Sequence, residues 1–169
     1  MYKNSIYKVQ DTGKILISPF ILKHGNGRKL TDCRNLTEET ETLSSIVSGL
    51  DRASSSNAPY DLCKGEYLCE ARCYVEDKSY INLDASKNLG SGRTSTTQTI
   101  IDNIRSKNAF MFVDWSEYRD NFCVIMYQIT STDVEELWKT TGSKKSGITI
   151  QEIQNYTKNF KLTHHILEI

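Results

Sequence analysis

The stretch Glu66–Val75 constrains the fold more than any other part of this chain. Read as a strand, it places Tyr67, Cys69, Ala71, Cys73 and Val75 on one face, and Leu68, Glu70, Arg72 and Tyr74 on the other. Successive strand side chains project to opposite sides, so the first face is small and apolar and packs on a core. The second face carries a carboxylate and a guanidinium two residues apart on an otherwise apolar element. Unpaired charges are costly to bury, so these two are either paired or line a wet cleft.

Around this strand the chain alternates between helical and extended patterns. SIYKVQ and KILISPFIL flank Asp11-Thr12-Gly13-Lys14 and predict an N-terminal hairpin over 5–22. Leu36, Leu43, Ile46, Val47 and Leu50 share one helical stripe and predict a helix from Thr37 to Leu50. Asn35 followed by Glu38 suits its N-terminal cap, and Gly49 lies near its end. Pro59-Tyr60-Asp61-Leu62-Cys63 then leads through a Lys64-Gly65 turn into the informative strand, and Tyr80–Leu83 reads as a third short strand. After the polar loop 86–97, Ile100, Ile101 and Ile104 mark a short helix. AFMFVDW at 109–115 and FCVIMYQIT at 122–130 read as buried strands. Thr132 and Glu135 form a capping-box pattern opening a helix with Val134, Leu137 and Trp138, and 149–160 is a last amphipathic stretch. Phe110, Phe112, Trp115, Phe122 and Trp138 are expected as core or core-rim aromatics at strand and helix ends.

A helix between two strands implies a crossover, and hence a mixed sheet flanked by helices: an α/β or α+β domain. With 169 residues the chain fits a single domain, 1–169. Its core is expected at about 37–130, with the hairpin before it and a helical appendage, 131–169, after it.

The 21 Lys+Arg balance 21 Asp+Glu, which excludes a non-specific polycation; nucleic-acid binding here needs a local basic surface. No apolar run approaches the ~20 residues of a membrane helix. MYKNSIYKVQ lacks the apolar region of a signal peptide, pointing to a cytoplasmic protein. The odd count of five cysteines (Cys33, Cys63, Cys69, Cys73 and Cys123) then fits reduced thiols better than a disulfide framework. His164 and His165 fall on opposite faces of any strand and read as structural or exposed. No Walker loop, GxGxxG, GxSxG or zinc-deaminase signature is present.

If 60–63 pairs with 66–70, Asp61 approaches Glu70 near the sheet edge. Two close carboxylates repel, and a divalent cation held by oxygen ligands relieves that repulsion. The residues Pro59-Tyr60-Asp61 and Glu70-Ala71-Arg72, in the order helix, three strands, helix, strand, resemble the PD-(D/E)XK nuclease superfamily, the restriction-endonuclease-like fold. The resemblance covers roughly residues 37–130 and implies an Mg²⁺-dependent endonuclease hydrolysing DNA phosphodiester bonds. A type II restriction enzyme acting as a homodimer on a short duplex site is the form it suggests. It implies that Asp61 and Glu70 bind metal, that Arg72 stabilises the transition state, and that a helix acid joins them; Glu39 is the residue expected in that place. Pro59 stands one position early, and Arg72 replaces the usual lysine. Arginine stabilises phosphorane charge but does not act as a neutral base.

Lys87, Asn88, Ser91 and Arg93 in the 86–97 loop, and Lys144 and Lys145 in TTGSKKSG, are the candidate DNA contacts. Arg28 and Lys29 belong to the same category. Two other readings stand beside this one. In the first, the same scaffold is a non-catalytic module binding nucleic acid or protein. In the second, Glu70 and Arg72 pair on a solvated strand face of an unrelated domain, with Asp61 a turn residue.

Overall fold

The computed structural model describes residues 3–18, 22, 33, 36–55, 58–76, 80–84, 96–141, 146–158 and 163–169. Its centre is strand β6 (Ala109–Asp114), all six residues of which are buried. An unbroken apolar run of this kind is stable only when both strand faces are covered. Met111 and Val113 enter one core, with Leu36, Leu43, Leu50 and Trp115. Phe110 and Phe112 enter the other, with Ile100, Ile104, Val134, Leu137, Trp138 and Ile153.

In chain order the elements are β1 (Ser5–Gln10), α1 (Thr37–Ser48), β2 (Asp51–Arg52), β3 (Leu62–Lys64), β4 (Tyr67–Tyr74) and β5 (Ile81–Asn82). There follow α2 (Thr97–Arg105), β6, α3 (Tyr118–Asn121), β7 (Cys123–Thr130), α4 (Ser131–Thr140), β8 (Gly147–Ile148), α5 (Ile150–Lys158) and β9 (Thr163–Glu168). Seven strands form one mixed sheet in the order β2-β3-β4-β6-β7-β1-β9, and β5 with β8 forms a two-stranded ribbon. Strands β4 and β6 run parallel, with Glu70 opposite Phe110 and Arg72 opposite Phe112. Two parallel neighbours need a crossover, and α2 supplies it, as the alternation of patterns implies.

Several sequence expectations are corrected. The residues after β1 form no hairpin with it. Instead the Asp11 carboxylate accepts N–H bonds from Gly13, Ile15 and Leu16 and from the Tyr118 hydroxyl, curling the chain into a turn. Strand β1 pairs with β7 on one side and β9 on the other. The C-terminal stretch keeps two helices, α4 and α5, but ends in β9, which returns to the sheet and makes its edge. There His165 stacks on Tyr7 with ring centroids 4.7 Å apart, while His164 is exposed.

Two short elements, β2 and α3, fall between the elements that the residue pattern predicts. Strand β5 leaves the main sheet for β8, which lies at the end of an expected loop. Gly147 permits that pairing, because a Cβ there would stand 1.8 Å from the Ile81 carbonyl oxygen. Helix α1 ends at a left-handed Gly49, and its N-cap residue is Leu36, without a side-chain bond; Asn35 lies outside the described residues. Ile46 is 52% exposed, off the buried stripe, while Phe122 sits at the rim of the core with its ring edge-on to Tyr118. Helix α4 is capped by Thr130, whose hydroxyl accepts from the Asp133 N–H, and not by Thr132.

The cysteines also depart from expectation. Cys33 and Cys73 form a disulfide, leaving Cys63, Cys69 and Cys123 as free thiols. The bond ties the segment before α1 to the middle of the sheet.

Candidate functional site

The alternation of β4 is as expected: Cys69, Ala71 and Cys73 face the α1 side, and Glu70 and Arg72 face the α2 side. The β3–β4 hairpin turns at a left-handed Gly65 and pairs Leu62 with Cys69. One residue before β3, the Asp61 N–H donates to the Cys69 carbonyl at 3.2 Å, and its Oδ2 accepts from the Ala71 N–H at 2.9 Å. Asp61 is thus held by backbone bonds beside Glu70 and Arg72.

The Arg72 guanidinium lies between the two acids. Its Nη1 is 3.7 Å from Asp61 Oδ2, and its Nη2 is 3.1 Å from Glu70 Oε2. It also donates to the carbonyls of Asn82 (3.1 Å), Ala71 (3.2 Å) and Asp84 (3.3 Å). A guanidinium carries its N–H donors in a fixed fork, and here Nε, Nη1 and Nη2 each bond a backbone carbonyl. Its place is thereby settled by the backbone of β4 and of the β5 segment as much as by the acids.

The acid supplied by α1 is Glu41. Glu39 is half-buried and makes no contact with Asp61, Glu70 or Arg72 among the described residues. Glu41 lies close enough to Asp61 to push its carboxyl up, and it also accepts from Arg52 at 2.8 Å. Burial raises the Asp61 carboxyl above its usual pKa, and Glu41 pushes the same way, against the opposing pull of Arg72 and the Ala71 N–H. Behind the acids, burial and the charges of Asp61 and Glu70 push the Cys69 thiol up to about 12, so that sulfur is an inert packing group.

Helix α2 closes the other side. Asn103 Nδ2 donates to Glu70 Oε2 at 3.0 Å and to the Leu83 carbonyl at 2.6 Å. Lys107, just past the helix end, donates to Asn103 Oδ1 at 3.0 Å and to Ser106 Oγ at 2.7 Å. The buried Asp84 accepts from Thr99 at 2.9 Å. Among these, Asn103 leaves a trace in the sequence: it is a polar residue on the Ile100–Ile104 stripe, on the face that α2 buries. Glu41 leaves none, because it meets Asp61 across the fold; Lys107 bonds near neighbours in the chain, but no pattern of residue types marks it.

The structure therefore brings together Asp61, Glu70 and Arg72 and adds Glu41, Asn103 and Lys107. Lys87, Asn88, Ser91, Arg93, Lys144 and Lys145 lie outside the described residues, as do Arg28 and Lys29.

No protein-family model matches the chain, and neither a curated protein nor a solved structure is found similar to it. Among the described residues, no helix is long and apolar enough to cross a membrane. Nor do any three or more His, Cys, Asp or Glu among them form a group placed to hold a metal ion. The donor set at the site is nonetheless one that Mg²⁺ uses. That ion takes one or two carboxylates and completes its octahedron with water and phosphate oxygens. Asp61 and Glu70 are the two carboxylates that would hold such an ion, with Glu41 as a third acid beside Asp61.

Proposed function

We propose that this protein is a metal-dependent endonuclease acting on DNA phosphodiester bonds, with Asp61, Glu70 and Arg72 as its centre. The observation that carries the reading is the convergence of these three residues from β4 and the start of β3, on a chain whose elements follow the order helix, strands, crossover helix, strand. Mg²⁺ bound by Asp61 and Glu70 would supply Lewis-acid polarisation of the phosphate and lower the pKa of a coordinated water.

The chain's own groups have distinct roles. Asp61 is oriented by the Ala71 N–H, and Glu70 by Arg72 and Asn103, so both carboxylates are fixed before a substrate arrives. Arg72 offers a permanent positive charge where a phosphorane develops negative charge. With its pKa it takes no proton from water, so the attacking water must lose its proton to another acceptor, such as a phosphate oxygen of the substrate. Duplex DNA as substrate and a homodimer that cuts both strands belong to the same reading.

The test is incubation of long, sequence-diverse duplex DNA with and without Mg²⁺, comparing wild type with Glu70→Ala of matched thermal stability. Discrete Mg²⁺-dependent fragments, lost in the variant, are expected. Intact DNA from folded wild type across metals and salts rejects the nuclease reading. It would leave the non-catalytic module, which one observation favours: Arg72 is already paired with both acids and bonded to three backbone carbonyls within the protein.

A further inference from the structure

Lys107 is buried, with 7% of its surface exposed, at the end of the helix that packs on Glu70. Its ammonium has donors and no acceptor, so the atom of Asn103 that faces it is the amide oxygen. That leaves the Asn103 NH₂ group pointing the opposite way, at Glu70 Oε2 and the Leu83 carbonyl, two acceptors for two hydrogens. The amide has no second orientation that keeps these bonds. Turned over, it would set NH₂ against an ammonium and an oxygen against a carboxylate.

The consequence falls on Glu70. Its Oε2 is gripped from two sides, by Asn103 at 3.0 Å and Arg72 at 3.1 Å. Among the described residues no hydrogen-bond donor is paired with its Oε1. The Leu83 carbonyl held by Asn103 lies between the Asn82 and Asp84 carbonyls held by Arg72, so both grips share one backbone anchor.

We propose that Asn103 and Lys107 are positioning residues. Lys107 fixes the orientation of the Asn103 amide, and Asn103 fixes Glu70 so that Oε1 is presented to a divalent cation. This rests on the nuclease reading above and deepens it. The arrangement separates two tasks that a lysine in direct contact with Glu70 would combine. The ammonium acts through a neutral amide and so orients the carboxylate without occupying it. Groups behind a ligating carboxylate typically change metal affinity or activity by about 10- to 100-fold when lost.

The test uses the full ¹⁵N-labelled chain and follows the Asn103 side-chain amide by NMR, alongside the Mg²⁺ concentration giving half-maximal DNA cleavage. Lys107→Met and Glu70→Gln are each expected to move the Asn103 NH₂ resonances and speed their exchange with solvent, whereas Lys107→Arg keeps them near wild type. Lys107→Met is also expected to raise the half-saturating Mg²⁺ by about 10-fold or more, with Lys107→Arg rescuing it. Lys107→Gln, which retains a polar donor, replaces Lys107→Met if that protein does not fold. Asn103 resonances indifferent to both positions overturn the relay, whatever the protein does to DNA. A cleaving wild type whose Mg²⁺ requirement is unchanged in the Lys107 variants overturns the positioning role alone. A wild type that neither cleaves nor binds Mg²⁺, with the resonances still coupled, overturns the nuclease reading and reduces the relay to a structural one.

Discussion

Arg72→Ala is the perturbation that most directly interrogates the site. The guanidinium it removes is 19% exposed and pairs with Asp61 and Glu70, whose side chains are 18% and 9% exposed. It also takes away a donor from three backbone carbonyls. Removing one partner of a buried ion pair costs about 3–5 kcal/mol, chiefly because the remaining charge stays buried and uncompensated. For a chain of this size each kcal/mol moves the melting temperature by about 2–4 °C, so a drop of about 6–20 °C is expected.

The pH dependence gives the mechanism. Asp61 already sits above the usual carboxylate pKa, through burial first and Glu41 as well, and Arg72 is what pulls it down. Without Arg72 its folded-state pKa climbs further. A carboxyl raised in the folded state stabilises while protonated and loses that contribution as pH rises through the folded value. The gap between wild type and variant is therefore widest at neutral pH and narrows as pH falls and Asp61 takes up its proton in both proteins. Saturating Mg²⁺ should recover more melting temperature in the variant than in wild type, since a divalent cation then takes the place of the lost charge. Thermal unfolding followed by circular dichroism across this pH range checks all three. A variant within about 1 kcal/mol of wild type at neutral pH, or a gap independent of pH, would refute the view that Arg72 compensates buried carboxylates.

Three further outcomes are expected. Replacing Cys33 and Cys73 together by serine, or reducing their disulfide, should cost about 4 kcal/mol, since the bond spans a sequence separation of 40; equal melting temperatures with and without a dithiol would count against it. Asp11→Asn should lower stability at neutral pH and erase part of the acid sensitivity. Burial pushes the Asp11 carboxyl up, but the Tyr118 hydroxyl and the N–H groups of Gly13, Ile15 and Leu16 together hold it lower than usual, so its contribution is present above the ordinary carboxylate pKa and lost as pH falls. An unchanged acid transition would contradict this. Gly147→Ala should cost about 1–3 kcal/mol by forcing β8 away from Ile81, visible as faster hydrogen exchange at Leu83 and Ile148; unaltered exchange would show that the ribbon absorbs a methyl group.

Much of the fold was legible in the residue pattern because it depends on periodicity. The alternation of 66–75, the continuous apolar run of 109–115 and the stripe Ile100–Ile104 each state which faces must be covered, and a crossover helix between the two strands follows from that. The same alternation placed Glu70 and Arg72 on one face, and the hairpin ahead of it brought Asp61 within reach. What the pattern did not carry is anything decided by pairing between distant segments. Strand β1 reads equally well as half of a local hairpin, and its union with β7 and β9 rests on a turn organised by Asp11 and on the Tyr118 hydroxyl far along the chain. The choice of Glu41 over Glu39 depends on how α1 leans across β2, through Arg52. The disulfide depends on where Cys33 comes to rest against β4. Asn103 and Lys107 matter only because α2 lies along the Glu70 face of the sheet. Local sequence sets which surfaces a segment must hide, since burial of apolar groups is a property of the segment. Hydrogen bonds and ion pairs are short-ranged and directional, so which charged groups meet was decided only when the packed elements fixed their distances.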